Sequence, residues 1–144
     1  MENKNKKVVV GLISRQRNDG TNQYLLVKSK KDFGEFTGCW YPPGGHTEKG
    51  ENERQTLIRE IKEELNLKIK PVKKITETLG DTKNRVTSWW ICRFLAGDLE
   101  NFKINQTEIA NAGWFTEKEM KTIKLFPATR DFFEKHILEI TCSN

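Results

Sequence analysis

The sequence predicts an α/β fold: a sandwich in which helices cover a mixed β-sheet, within a single domain over residues 1–144. Segments rich in Val, Ile and aromatic residues occur on both sides of one central helical pattern, and a second helical pattern lies near the C-terminus. The strands do not alternate regularly with helices, which argues against repeated βαβ units. A chain of 144 residues can bury a core without a disulfide or metal staple.

Local patterns place the strands. Val- and Ile-rich segments predict strands over Lys7–Arg15 and Gln23–Ser29, and an Asn-Asp-Gly turn signal at 18–20 joins them into a hairpin. Three more strands are predicted after the central helix: Lys68–Thr78, Thr87–Leu95 and Ala112–Phe115. Strands therefore surround the central helix on both sides.

Capping signals and apolar spacing place three helices. The central helix is predicted over Asn52–Leu65, which lacks Gly and Pro and repeats apolar residues at helical spacing: Leu57, Ile58, Ile61 and Leu65. Thr116 is a favourable N-cap for a short helix ending near residue 123, with Glu119 three positions later as in a capping box. Pro127 suits the first turn of a final helix that runs to about residue 140.

The positive charge is local. The net charge is +5, and residues 1–34 hold eight basic against three acidic residues, so the whole excess lies there. This surplus could steer an anionic ligand, or it could be a solvated Lys-rich terminus. No zinc-finger, KH or RNP signature accompanies the charge, so we expect no dedicated nucleic-acid partner.

Cysteine spacing and hydropathy indicate the compartment. Cys39, Cys92 and Cys142 are far apart, and this pattern predicts neither a disulfide framework nor a zinc site. A reducing cytoplasm is the expected compartment. No apolar run approaches the roughly 18 residues of a membrane span, and residues 1–7 are too charged for a signal peptide. We therefore expect no membrane partner.

The central helix carries a concentration of carboxylates. Glu60, Glu63 and Glu64 stand at i, i+3 and i+4, so they share one helix face, beside the apolar stripe. Arg59 can pair with Glu63, but one arginine cannot neutralise three carboxylates. A hard divalent cation such as Mg²⁺ could, and it could also coordinate phosphate oxygens. A solvated acidic helix face is the alternative, and the residue chemistry leaves both interpretations open.

The residues around these carboxylates resemble the Nudix box, Gly-x5-Glu-x7-Arg-Glu-U-x-Glu-Glu-x-Gly-U, in which U is bulky and aliphatic. Eight positions match at the required spacings: Gly45, Glu51, Arg59, Glu60, Ile61, Glu63, Glu64 and Leu67. Asn66 stands where the family usually has Gly, at the expected left-handed cap of the helix, and Asn is the best substitute for Gly there. The chain is thus identified as resembling Nudix hydrolases.

The resemblance implies a Nudix-type α/β/α sandwich and a metal-dependent reaction. Nudix enzymes use Mg²⁺ or Mn²⁺ to hydrolyse a pyrophosphate linkage in a nucleoside diphosphate joined to another group. Carried onto this sequence, the metal ligands would be the carboxylates of Glu60, Glu63 and Glu64 and the backbone carbonyl of Gly45.

The family motif also implies supporting and catalytic roles. Glu51 would bind metal through water or support the loop, and Arg59 would orient the carboxylates. One of Glu63 and Glu64 would act as general base, and Glu108 is a candidate base outside the box. A water molecule would attack one phosphorus atom in line.

Substrate choice depends on residues outside the box. The Pro of ADP-ribose types and the Tyr of dinucleoside-polyphosphate types are absent at positions 82–85, which leaves a MutT-like nucleoside triphosphate hydrolase as the largest group. Phe126-Pro127-Ala128 resembles the MutT-like opening of the last helix, but Thr129 stands where that group can read a purine with Asn. Lys28, Gly44 and Gly45 are the expected phosphate contacts, and a small nucleotide is the expected partner.

Other interpretations stay open at this stage. The domain could sense a nucleotide without cleaving it, or the same chemistry could act on RNA 5′ ends, ADP-ribose or dinucleoside polyphosphates. The oligomeric state could be a monomer or a homodimer. Trp40, Trp89 and Trp90 could stack on a base, but Trp89 and Trp90 face opposite sides of one strand and are expected to be core residues.

Overall fold

Two β-sheets and three helices are built from these segments. A computed structural model describes residues 6–79 and 85–142. The strands in these ranges are β1 Lys6–Leu12, β2 Ser14–Gln16, β3 Asn22–Ser29, β4 Trp40–Tyr41, β5 Gly44–His46, β6 Lys68–Leu79, β7 Arg85–Ala96 and β8 Ile109–Thr116. The helices are α1 Glu53–Leu65, α2 Glu117–Met120 and α3 Pro127–Cys142, and a 3-10 turn covers Gly34–Phe36.

The first sheet is mixed, as predicted. Its strand order is β5-β1-β7-β6, with β1 parallel to β7 and the other pairs antiparallel. The second sheet is antiparallel, and β3 pairs with β2, β4 and β8. α1 packs on one face of the first sheet and α3 on the other, so the α/β/α sandwich is confirmed.

The predicted strand over 7–15 is wrong as a single element. It divides at Ile13 into β1, which joins the first sheet, and β2, which joins the second. Only β2 forms the hairpin with β3, closed by the turn near Gly20. The chain therefore passes from one sheet to the other within a run that the sequence shows as continuous.

The left-handed C-cap of α1 is formed as predicted, and its N-terminus carries a capping box that the sequence analysis did not predict. Asn52 is the N-cap and makes a capping box with Gln55. Asn66 is the C-cap in the left-handed conformation, with φ 56° and ψ 37°, and its N–H donates to the Lys62 carbonyl. One detail is wrong: Ile58 is 44% exposed, so it does not belong to the buried stripe.

Two apolar clusters fill the fold on either side of the first sheet. Trp90 packs in the cluster under α1, whereas Trp89 packs in the cluster under α3. The predicted opposite orientation of these neighbours is thus confirmed. α2 ends at Met120, earlier than predicted, after the expected capping box of Thr116 and Glu119. Across residues 6–79 and 85–142, no helix has the length and apolar character that crossing a membrane requires.

Candidate active site

A cleft of about 210 Å³ opens between the two sheets and the start of α3. Its floor consists of alternate residues of two paired strands, Val8 and Val10 on β1 and Thr87 and Trp89 on β7. The cleft is also lined by residues of the second sheet, its following loop and the start of α3: Ser29, Lys31, Phe33, Tyr41, Phe126, Ala128 and Thr129. The lining of the cleft is therefore mixed, with apolar and aromatic side chains beside polar and charged ones.

One end of the cleft is acidic. Glu60 and Glu64 of α1 line it together with Glu108, which precedes β8. Glu63 does not line the cleft, and its side chain is 51% exposed. The structure therefore brings together three carboxylates from two distant segments and leaves the fourth at the solvent side of α1.

Two glycines allow the backbone of β5 to lie against α1 and β1. A Cβ atom at Gly45 would overlap the carboxylate of Glu60, and one at Gly44 would overlap the backbone of Val9 and Val10. At Gly44 the overlap is with backbone, so no other residue type fits there without movement of β1. At Gly45 the overlap is with the end of the Glu60 side chain, so glycine there lets the Glu60 carboxylate keep its place against β5.

Arg59 organises the carboxylates. Its Nε and Nη2 atoms donate to the two oxygens of Glu51 at 2.6 and 3.0 Å, a bidentate pair. Nη1 donates to Glu60 at 3.1 Å and to Glu63 at 3.3 Å, and Nη2 donates to the His46 carbonyl at 3.1 Å. Hydrogen bonding to Arg59 lowers the pKa of Glu51 to about 2, so Glu51 is firmly ionised. Arg59 thus links the loop before α1 to the acidic face of α1.

Glu64 occupies an unusual environment for a carboxylate. The residue is only 7% exposed, so this carboxylate is buried with the apolar residues of α1. Its Oε1 atom is buried and has no hydrogen-bond partner. Burial first, and then the charges of Glu60 and Glu108, raise the pKa of Glu64 to about 8, although a hydrogen bond from the Gly44 backbone opposes this. Burying an oxygen atom without a hydrogen-bond donor lowers the stability of the fold unless a bound ligand interacts with that atom.

The acidic side chains suit a hard divalent cation. In the described ranges, no three His, Cys, Asp or Glu side chains are gathered closely enough to hold a metal ion as they stand. Arg59 holds Glu60 and Glu63 through a single nitrogen atom. The unpartnered oxygen of Glu64 and the close seat of Glu60 against Gly45 nevertheless fit a cation at this end of the cleft. Carboxylate and carbonyl oxygens are the donors that Mg²⁺ prefers.

The residues predicted to contact substrate divide into two groups. Gly44, Gly45 and Thr129 line the cleft, and Thr129 is only 2% exposed. Lys28 does not line it; its ammonium lies 5.1 Å from the centre of the Trp40 ring. At positions 82–84 the sequence lacks the Pro of ADP-ribose types and the Tyr of dinucleoside-polyphosphate types, and these positions lie outside the described residues.

The tryptophans are largely structural. Trp89 stacks on Phe132 with ring centres 4.2 Å apart, and Trp40 packs edge-on against Phe115. The indole N–H of Trp90 donates to Glu53 at 2.8 Å, on the α1 side of the sheet. The expectation that Trp89 and Trp90 are core residues is confirmed, although Trp89 also forms part of the cleft floor.

Sequence reasoning missed the two basic residues of the cleft. Lys31 follows β3, and Arg85 begins β7 on the same face as Thr87 and Trp89. Alternation along β7 could have placed Arg85 on this face, given the strand boundaries. Lys31 lies in an irregular segment, so no periodic signal indicated its position.

Comparison with known proteins agrees with this geometry. The NUDIX domain family model matches residues 5–136. The chain belongs to the Nudix family. Nucleoside triphosphatase NudI of Enterobacter sp. (strain 638) is 32% identical over 127 residues, which cover 80% of this chain and 89% of that protein. The 8-oxo-dGDP phosphatase NUDT18 of Mus musculus is 33% identical over 105 residues, 70% of this chain but 30% of that protein.

A solved Nudix structure shares the fold. A NUDIX hydrolase from Nitrosomonas europaea superposes with a TM-score of 0.76 at 21% identity, covering 96% of this Nudix chain and 73% of that chain. The chain spans about a third of the length of the animal relatives that it matches. Members of the Nudix family generally use divalent metal ions, which suits the acidic end of the cleft.

Proposed function

We propose that this Nudix protein is a metal-dependent pyrophosphohydrolase acting on nucleoside diphosphates joined to another group, with a small nucleotide as its partner. The observation that carries the proposal is the buried, unpartnered oxygen of Glu64 at the acidic end of the cleft. A phosphate chain needs positive charge, and an uncompensated carboxylate attracts the cation that supplies it. The apolar and aromatic side chains of the cleft suit the organic part of a nucleotide.

Different residues of the chain would bind the cation, position the carboxylates and accept the proton of the attacking water. Glu60, Glu63, Glu64 and the Gly45 carbonyl would hold Mg²⁺ or Mn²⁺, which supplies positive charge to the phosphate oxygens when bound. Arg59 keeps Glu51, Glu60 and Glu63 in place through its five N–H donors. The hydrolytic water transfers a proton to a carboxylate while the water oxygen bonds to phosphorus. The bond from that phosphorus to the bridging oxygen breaks, and the bridging oxygen leaves as part of pyrophosphate or of another phosphate group.

Three carboxylates are candidates for that proton acceptor. Glu63 is accessible to solvent and pairs with Arg59, Glu64 has the raised pKa, and Glu108 lies outside the box. Because a carboxylate bound to a cation is a weaker base, the proton acceptor is the one of these three that is not bound to the cation while the water reacts. Separate pH–rate profiles of Glu63→Gln, Glu64→Gln and Glu108→Gln would identify it.

A nucleoside triphosphate, cleaved to a monophosphate and pyrophosphate, is the proposed substrate. The bacterial relative named a nucleoside triphosphatase supports it, because that relative matches this chain over nearly its whole length. Lys31 and Arg85 add positive charge to the lining of the cleft. The mouse relative named an 8-oxo-dGDP phosphatase makes nucleoside diphosphates the second candidate.

A substrate panel tests the proposal. Nucleoside triphosphates, diphosphates, ADP-ribose, a dinucleoside polyphosphate and a 5′-triphosphate RNA would be incubated with Mg²⁺, and released phosphate and pyrophosphate measured. Glu63→Gln and Glu64→Gln should each reduce turnover at least about 100-fold on every substrate, because charge stabilisation at such a site is worth several kcal/mol. Glu77→Gln, in an ion-pair cluster elsewhere on the fold, is the matched control and should leave turnover unchanged.

The outcomes separate the alternatives. Near-wild-type turnover in folded Glu63→Gln and Glu64→Gln would refute the hydrolase proposal at these residues. Nucleotide binding without hydrolysis of any compound would favour a sensing domain. Thr129→Asn should change the ratio of purine to pyrimidine rates about five-fold, the effect of roughly 1 kcal/mol from one buried hydrogen bond.

The remaining expectations stay predictions. A single Nudix domain over residues 1–144 is supported by the family match to residues 5–136. The cytoplasmic compartment, predicted from cysteine spacing, and the monomeric or homodimeric state would be addressed by cell fractionation and light scattering.

A further inference from the structure

Asn105 lies at the junction between the acidic end of the cleft and the connection from β7 to β8. Its backbone N–H donates to the carbonyl of Glu64 at 2.9 Å, in the last turn of α1. The last carbonyls of a helix have no partner within the helix, so an outside donor is needed here. This bond fixes Asn105 to the helix that carries the acidic face.

The side chain of Asn105 contacts the carboxylate from the other segment. Its Nδ2 donates to Oε2 of Glu108 at 3.3 Å. Its Oδ1 accepts from the N–H of Thr107 at 3.1 Å and from the Thr107 hydroxyl at 2.7 Å, and the Asn105 carbonyl accepts from the Glu108 N–H at 3.0 Å. One residue therefore joins α1 to the loop turn and to the carboxylate of Glu108.

The connecting segment is also fixed away from Asn105. The Lys30 N–H donates to the Glu108 carbonyl at 3.0 Å, and the indole of Trp114 donates to the Leu99 carbonyl at 2.8 Å. The Arg15 guanidinium lies 4.4 Å from the Trp114 ring centre. The backbone path is thus set at several points, and the hydrogen bond from Asn105 restricts the Glu108 side chain itself.

We propose that Asn105 is a positioning residue that holds the Glu108 carboxylate beside Glu60 and Glu64, so that Glu108 takes part in binding the cation of the cleft. This inference rests on the proposed function. The Oε1 atom of Glu64, in a residue that is over nine-tenths buried, has no hydrogen-bond partner, so one oxygen at this end of the cleft is left for a cation to bind. Residues that orient a ligand typically change metal affinity about 10- to 100-fold when replaced.

The test uses Mn²⁺ alone as the probe, titrated by calorimetry into the full chain. Asn105→Ser keeps the backbone N–H and an acceptor for Thr107, but its short hydroxyl does not reach Glu108. We expect Mn²⁺ to bind about 10-fold more weakly to Asn105→Ser and at least as weakly to Glu108→Gln. The double variant should bind no more weakly than Glu108→Gln, because the amide then has no carboxylate to position.

Two controls keep the result interpretable. Thr107→Ala removes the hydroxyl bond to Asn105 and leaves Glu108 in place, so its Mn²⁺ affinity should equal that of wild type. Melting temperatures without metal identify any loss of folding, and Asn105→Asp, which is isosteric, replaces Asn105→Ser if the serine variant is unstable. The aspartate of Asn105→Asp should repel the Glu108 carboxylate and displace it. Its effect on Mn²⁺ affinity should therefore disappear when Glu108→Gln is also present.

Failure of this inference differs from failure of the proposed function. Unchanged Mn²⁺ affinity in folded Asn105→Ser would show that Asn105 does not act through Glu108. The same would follow if Asn105→Ser weakened Mn²⁺ binding by the same factor with Glu108 present as in the Glu108→Gln variant. Wild-type affinity and turnover in Glu64→Gln would instead refute the cation site as a whole.

Discussion

Two clusters of charged side chains meet α1, and their charge balance differs. Near the start of the helix, Lys7 pairs with Glu53 at 3.0 Å and with Glu77 at 3.1 Å, and Lys74 pairs with Glu53 at 3.2 Å and also contacts Glu77. Two cations there face two carboxylates. We call these residues the balanced cluster.

Further along α1 the carboxylates are in excess. In the described part of the chain, Arg59 is the one cation paired with four carboxylates: Glu48, Glu51, Glu60 and Glu63. Glu64 and Glu108 stand at the same end of the cleft without a salt bridge in the described ranges. We call these residues, with Arg59, the acidic cluster.

The pKa values follow pairing and burial. Hydrogen bonds from Lys74 and Lys7 lower the pKa of Glu77 to about 2, as the hydrogen bond from Arg59 does for Glu51 in the acidic cluster. Burial raises the pKa of Glu60, and burial with neighbouring carboxylates raises that of Glu64 to about 8. The buried carboxylates of the acidic cluster therefore distinguish the candidate site from the balanced cluster.

The largest expected effect comes from changing the cation of each cluster while keeping its charge. A lysine at position 59 has no fork for the bidentate pair with Glu51 and cannot also bind Glu60 and the His46 carbonyl. Arg59→Lys should therefore reduce turnover about 10- to 100-fold on the best substrate of the panel. Lys74→Arg in the balanced cluster should leave turnover unchanged. Equal losses in the two variants would contradict the distinction.

The next largest effect is a pH dependence of opposite sign in the two clusters. The Glu64 carboxyl titrates near 8 in the folded protein but near 4.5 when unfolded. Between these values the native state keeps a proton that the unfolded chain releases, so the free energy of unfolding falls as pH rises. In metal-free protein, Glu64→Gln should therefore be stabilising above pH 8 by a few kcal/mol, and nearly neutral below pH 4.5.

Glu77 provides the opposite case. Its pKa is about 2 in the folded protein against 4.5 unfolded, so its contribution is present above pH 4.5 and is lost as pH falls towards 2. Because this side chain is partly exposed, Glu77→Gln should cost under about 1 kcal/mol at neutral pH. Urea unfolding in EDTA at pH 4, 7 and 8.5 measures both variants. The same slope with pH for both would contradict the assigned environments.

The residues predicted from the sequence were those fixed by local geometry. The left-handed Asn66 at the end of α1 and the capping box of Thr116 and Glu119 depend on neighbours within a few positions, so the local sequence predicted them. The burial of Glu64, the bond from Asn105 to Glu108 and the place of Arg85 in the cleft depend on segments far apart in the chain. No periodicity records such contacts.

The division of residues 7–15 between two sheets illustrates the same limit. Ile13 is as apolar as its neighbours, and the backbone of the second sheet determines where the strand turns: the Leu25 N–H donates to the Ile13 carbonyl at 3.0 Å. The phosphate contact of Lys28 stays a prediction, and its ammonium lies 5.1 Å from the centre of the Trp40 ring. The sequence predicts that Lys28 stands near the end of a strand, but it does not predict this aromatic neighbour.

A third prediction concerns metal binding to the acidic cluster alone. Mg²⁺ at about 100 times its dissociation constant stabilises the folded state by about 2.7 kcal/mol, which corresponds to a rise in melting temperature of several degrees. Glu64→Gln should reduce this rise, and Glu77→Gln should leave it unchanged. Scanning fluorimetry with Mg²⁺ or with EDTA measures the difference. Identical melting curves for the wild type in both buffers would refute the cation site.

The smallest effect is expected at the cap that ends α1 beside the acidic cluster. Asn66 has a positive φ of 56°, and its Oδ1 accepts from the Lys62 ammonium at 2.8 Å on the exposed surface. Asn66→Gly removes that surface bond but relieves the Cβ contact, so its stability should match the wild type within about 0.5 kcal/mol. Asn66→Val should cost about 1–2 kcal/mol, because a β-branched residue resists the left-handed conformation.

The Mg²⁺-induced rise in melting temperature sharpens this test. If Asn66 only ends the helix, the Gly variant should retain the full rise, since the carboxylates and Arg59 keep their positions. A Gly variant with wild-type stability but a reduced rise would show that the asparagine side chain also orients the last turn of α1, where Glu63 and Glu64 lie. Equal stability of the Gly and Val variants in urea would instead show that the backbone at position 66 is not held in the left-handed conformation in solution.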